Sequence, residues 1–142
     1  MRLPLPTIFA TGLALVLIGD AAAGPPGAGR LIVWAWERPE DLRFLPPDVE
    51  IAAQTGFVVL SGDRVLARGR RHGLKARPGQ VTTAVVHVEL DPRRLPDWTK
   101  RQRARAADEV AILARRLPVK RVQVDLEVPA SRRRIVLDLL HD

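Results

Sequence analysis

The chain of 142 residues contains no cysteine and no tyrosine, and aromatic residues make up only 4% of it. Without cysteine there is no disulfide framework, no thiolate metal site, no cysteine nucleophile and no lipidated N-terminal cysteine. Metal-ligand spacing is missing too, because His72, His87 and His141 are scattered along the chain. No glycine-rich phosphate loop follows a strand pattern. Ser61 and Ser131 lack the setting of a nucleophile elbow. These absences leave no metal and no cofactor to expect. The apolar run over residues 8–18 is too short to span a bilayer comfortably.

What the chain does have is arginine. Its formal net charge is +7. The basic clusters at residues 64–77, 93–105 and 132–134 read mainly as solvated surface. They contain no phenylalanine, and only Trp98 lies near them. Single-stranded nucleic acids bind where aromatics interleave with positive charge, so no nucleic-acid partner is expected. The run 132–134 places positive charge at a helix start, against the macrodipole, which favours an anionic ligand there.

The first residues, MRLPLPTIFATGLALVLIGDAAAG, follow the order of an export signal: Arg2, a short apolar stretch, then Ala21 and Ala23 in an A-x-A site. Residues 1–23 are expected to be a cleaved signal and residues 24–29 a Gly/Pro linker. Residues 30–142 then form one domain. The mature protein is expected to be periplasmic or secreted, with no stable membrane span.

RLIVWAW over residues 30–36 reads as a strand buried on both faces. Pro39, Glu40 and Asp41 suit the first turn of a short helix. Residues 49–60 read as a second strand. Ser61 to Asp63 supply turn chemistry and RVLARG returns, giving a β-hairpin. Residues 81–90 form a third strand. Asp97 is a plausible N-cap for a helix whose stripe is Trp98, Ala106, Val110, Leu113 and Leu117, ended by Pro118. Residues 119–128 form a fourth strand, and Ser131 suits the cap of a last helix. Strands alternating with helices imply α/β architecture with parallel pairing. Four βα units would be half of a TIM-like barrel, with the hairpin after the second strand.

The stretch RVQVDLEVP carries the candidate site. Residues two apart on a strand share a face, so Asp125 and Glu127 lie with Gln123. Glu89 ends the third strand and Glu37 the first in the same way. In a parallel barrel the C-terminal strand ends form the site. Two carboxylates about 7 Å apart along a strand suit one raised pKa and a general acid. The plainer reading is an edge strand with its polar face in water. Trp34 and Trp36 share a face that could stack sugars or simply fill a core. His87 shares a face with Glu89 and reads more readily as a packed core residue than as a catalyst.

Two resemblances follow from these residues. VWAWERPEDLRFL, VVHVEL and VKRVQVDLEVPASRRR resemble segments of an exported bacterial family known as domain of unknown function 3142. That resemblance implies a (β/α) barrel of which this chain holds about the first half. KRVQVDLEVP is similar to the fourth-strand motif of chitinase-like glycoside hydrolases at Asp125, Glu127 and Pro129. It departs at Gln123, where that motif has Asp, and at Leu126, where it has Trp. The likeness implies Glu127 as proton donor to a glycosidic oxygen. Asp125 would orient an acetamido group or share a proton, in a substrate-assisted route. Glu89 is the further catalytic candidate, and Trp36, Glu37 and Gln123 are the substrate-binding ones. The expected function is therefore action on, or binding of, an envelope polysaccharide. The alternative is a non-catalytic protein that binds carbohydrate or anionic polymer. A half barrel also implies self-association or a missing second half.

Overall fold

The computed structural model describes residues 29–141. The expected signal peptide, and all but one residue of the linker, lie outside them. The fold is mixed α/β, built on a mostly parallel sheet. Its strands are β1 (Ile32–Ala35), β3 (Glu50–Ser61), β4 (Arg64–Gly69), β6 (Val81–Leu90) and β7 (Arg121–Glu127). The parallel order is β1-β3-β6-β7, and β4 pairs antiparallel with β3. A separate pair joins β2 (Glu40–Asp41) to β5 (Leu74–Lys75). The helices are α1 (Lys100–Ala114) and α2 (Arg134–His141), the latter after a 3-10 turn at Ala130–Arg132.

β3 is the organising strand. β6 runs along one of its edges. The other edge is shared: β1 takes residues 50–53 and β4 takes 56–61. The hairpin turns at Gly62, whose φ of 54° is in the left-handed region. That is the conformation a two-residue turn needs at its first position, and glycine adopts it without strain.

Two bulges decide which residues share a face. Ile51 pairs with Val81 but Ala52 with Thr83, so Thr82 is an extra residue on β6. Gln54 pairs with Val85 but Gly56 with Val86, so Thr55 is extra on β3. Each bulged threonine is tied down: Thr55 Oγ1 donates to the Val85 carbonyl (3.2 Å) and Thr82 Oγ1 to Glu50 Oε2 (2.9 Å). A bulge reverses the alternation beyond it. Hence Ile51, Ala53, Val58 and Leu60 all point to one side, although their numbering changes parity. Val58, Leu60, Ala84, Val86 and Val88 meet Ala106, Val110 and Leu113 of α1 and Ile135 and Leu139 of α2 in the main core. Ala35, Leu42, Ile51 and Ala53 form a second, smaller core.

Gly56 leaves room for α1 against the sheet: a Cβ there would collide with the Arg68 carbonyl and meet Leu113 Cδ2 at 2.8 Å.

Several expectations need correction. Pro39 to Asp41 do not start a helix; Glu40 and Asp41 extend and pair with β5. Of the three expected helices only the last two form among the described residues, and both pack on one side of the sheet. Among the described residues the other face carries no helix, so the strands are not sandwiched there, and Trp36 is 43% exposed. α1 is capped by Thr99, whose side chain accepts from the Gln102 N–H (3.2 Å), and not by Asp97. The pair forms a T-x-x-Q capping box with a shifted return: Gln102 Oε1 accepts from the Trp98 N–H (2.8 Å). Trp98 precedes the helix with a φ of 53°, and Leu117 follows it. Ser131 sits inside the 3-10 turn, where no side chain caps.

No helix among the described residues is long and apolar enough to cross a membrane.

Candidate functional site

Once the bulges are counted, the face away from the helices can be read across the sheet. Trp34 and Trp36 come from β1 and the residue after it. Gln54, Phe57 and Val59 follow on β3, then Val85, His87 and Glu89 on β6, and Gln123, Asp125 and Glu127 on β7. The pairing registers align Phe57, His87 and Asp125 in one row and Val59, Glu89 and Glu127 in the next. Both rows approach the C-terminal ends of the parallel strands.

His87 is the centre of this arrangement. Its Nδ1 lies 2.9 Å from Asp125 Oδ2, and its Nε2 is 3.8 Å from Glu89 Oε2. The ring also stands edge-on to Phe57, with centroids 5.5 Å apart. The hydrogen bond to Asp125 raises the His87 pKa. Burial opposes it, and the charges of Asp125, Glu127 and Glu89 add to it, leaving the net shift upward. The plainer reading of His87 as a packed core residue is half right. It is buried, but its partners are carboxylates on the candidate face.

A second group stands on the β1 side. Arg68 of β4 lies over the Phe57 ring at 3.9 Å and binds the Glu37 carboxylate. Glu37 also accepts from the Arg71 N–H (2.9 Å). Burial pushes the Glu37 carboxyl up, but the bonds from Arg68 and Arg71 and the nearby positive charge outweigh it and hold it low. Beside it, the Trp34 and Trp36 rings are 5.2 Å apart, tilted by 37°. Gln54 is buried; its Oε1 accepts from the Glu37 N–H (2.9 Å), while its Nε2 has no hydrogen-bond partner among the described residues. Across the sheet, Arg121 of β7 binds Glu50 and Thr82.

All the expected site residues therefore belong to the helix-free face or its rim. Asp125, Glu89 and His87 are brought together directly, with Glu127 in the row beside Glu89. Glu37 and Trp36 form a separate group linked through Arg68 and Phe57. Gln123 lies one same-face step from Asp125, paired with Val85. Sequence reasoning did not find Phe57, Arg68 or Gln54. Arg68 was legible in principle, since the hairpin register pairs it with Phe57. Phe57 and Gln54 were hidden by the extra Thr55, which puts residues of opposite parity on one face.

Several carboxylates of this basic chain are paired with arginine: Glu37, Glu40, Asp41, Glu50, Asp63 and Asp138 each have one within 4 Å. Among the described residues, no arginine pairs with Glu89, Asp125 or Glu127. Nor do the described residues contain a group of three or more His, Asp or Glu side chains arranged to hold a metal ion. Ser61, in contrast, is spent on structure: its Oγ donates to Asp91 Oδ2 at 2.8 Å.

Compared with family models, curated proteins and solved structures, the chain matches none of them.

Proposed function

We propose that the helix-free face binds a polysaccharide of the cell envelope, on a scaffold related to the barrels of glycoside hydrolases. The sequential parallel order β1-β3-β6-β7 supports reading the sheet as the first strands of such a barrel. The observation that carries the binding reading is the mixture on this one face. Trp36, 43% exposed, offers flat apolar surface, while His87, Glu89, Asp125 and Glu127 offer hydrogen-bonding groups on the same face. Carbohydrate sites need that combination, because a sugar ring has an apolar C–H face and a polar hydroxyl rim. Among the described residues neither arginine nor histidine binds Glu127, so its carboxylate is free to accept from hydroxyls.

A hydrolytic reading has its own support. Asp125 and Glu127 stand one same-face step apart at the end of β7, and Glu127 is exposed. In that reading Glu127 gives its proton to the glycosidic oxygen. Asp125 already holds His87, which leaves it suited to orienting a substrate group.

Co-sedimentation with insoluble envelope polysaccharides, coupled to reducing-end assay, separates the two. Binding by the parent, lost about tenfold or more in Trp36→Ala, is expected. Turnover that Glu127→Gln lowers by about 10²–10⁴-fold, with binding retained, would establish hydrolysis. Binding without turnover in parent and Glu127→Gln alike leaves a carbohydrate-binding protein. A parent that binds no glycan removes the proposal.

A further inference from the structure

We propose that the chain forms a two-fold dimer by antiparallel pairing of β7 with β7 of a second copy. The register sets Arg121 opposite Glu127, Val122 opposite Leu126, Gln123 opposite Asp125, and Val124 opposite itself.

Among the described residues β7 is the last strand in the order β1-β3-β6-β7, and it pairs only with β6. Its outer edge is a row of backbone donors and acceptors without a strand beside it among the described residues. Proteins blunt such edges with proline, bulges or charged side chains. β7 has no proline, and its register with β6 runs unbroken from Arg121 to Glu127. Its charges are Arg121, Asp125 and Glu127, of both signs, so they exclude some partners and match others. An edge left bare over seven residues suits another strand.

The charges say which strand. The first residue of β7 is a cation and the last an anion. Antiparallel pairing about Val124 therefore brings Arg121 against Glu127 at both ends, while all seven residues stay paired. Opposite charges directly across a sheet favour pairing, and like charges oppose it. Both side chains are accessible: Glu127 is exposed and the Arg121 side chain is 41% exposed. Arg121 reaches Glu50 and Thr82 through Nη2, which leaves Nη1 and Nε for a second carboxylate. Parallel addition of a second copy would instead align Arg121 with Arg121.

The apolar side agrees. Val122 is 54% exposed although it points to the helix side of the sheet. It borders a groove of about 400 Å³ between α1, α2 and β7, whose walls include Val110, Ala114, Val124 and Leu139. In the proposed register, Leu126 of the second copy lies beside Val122. The two helix-free faces also become one continuous surface.

The absence of cysteine makes the test simple. Facing Val124 residues would have Cα atoms about 4.5–5.5 Å apart, within disulfide range. Two Val122 residues would be offset by four positions, about 13 Å. Sedimentation velocity of the full chain should show a concentration-dependent dimer. Val124→Cys should oxidise to a covalent dimer, and Val122→Cys should not. Glu127→Arg, at an exposed position, should weaken dimerisation about tenfold or more. A chain that stays monomeric at all concentrations, as expected if β7 awaits a different polypeptide, overturns the proposal. So does Val122→Cys cross-linking as fast as Val124→Cys, or a dimer indifferent to Glu127→Arg.

Discussion

His87 and Asp125 face each other across β6 and β7, with Nδ1 and Oδ2 2.9 Å apart. Asp125→Asn removes the anion while keeping the shape. The His87 pKa, followed by NMR, should fall from its raised value. The sign for stability follows. A histidine whose folded pKa exceeds its ordinary 6.5 contributes stability that is fully present below 6.5. That contribution is lost as pH rises through the raised folded value. Denaturation of the parent should show this loss on the alkaline side of 6.5, and Asp125→Asn should flatten it. An unchanged His87 titration in the variant would refute the pairing.

Gly56 lies on β3 directly beneath Leu113 of α1. Gly56→Ala forces a Cβ against the Arg68 carbonyl and Leu113. The backbone oxygen cannot step aside without disturbing the β3–β4 ladder. Overpacking of this kind costs about 1–3 kcal/mol, read as a lower denaturation midpoint with the slope unchanged.

Gln102 is 2% exposed and joins three segments. Its Nε2 donates to the carbonyls of Gly62 (2.8 Å) and Arg64 (3.0 Å), and its Oε1 accepts from Trp98. Gln102→Ala leaves the buried Gly62 carbonyl, the part-buried Arg64 carbonyl and one N–H without that partner. The expected cost is about 1–3 kcal/mol. Chemical denaturation should show it, and amide exchange should quicken at the hairpin turn.

The export reading concerns residues outside the described part, and it has a direct test. Mass spectrometry of protein from the native envelope fraction should find a mature N-terminus near Gly24. An intact Met1 form in the cytosol would remove the compartment argument.

The third and fourth strands and the hairpin were legible because their cause is local. Val81–Leu90 and Arg121–Glu127 are β-branched runs bounded by breakers, and Gly62 sits where a tight turn needs positive φ. The Asp125/Glu127 face was legible for the same reason, since strand alternation is a property of one chain segment. The rest was decided by partners distant in sequence. Glu40 and Asp41 carry helix-start chemistry, yet residues 74–75 offered backbone groups to pair with, and pairing prevailed. Thr99 displaced Asp97 as cap because Gln102 had to reach the hairpin carbonyls. The bulges at Thr55 and Thr82 exist only in the pairing of β3 with β6, and they placed Phe57 beside His87. Composition makes segments extend or coil; only the registers between strands choose which side chains meet.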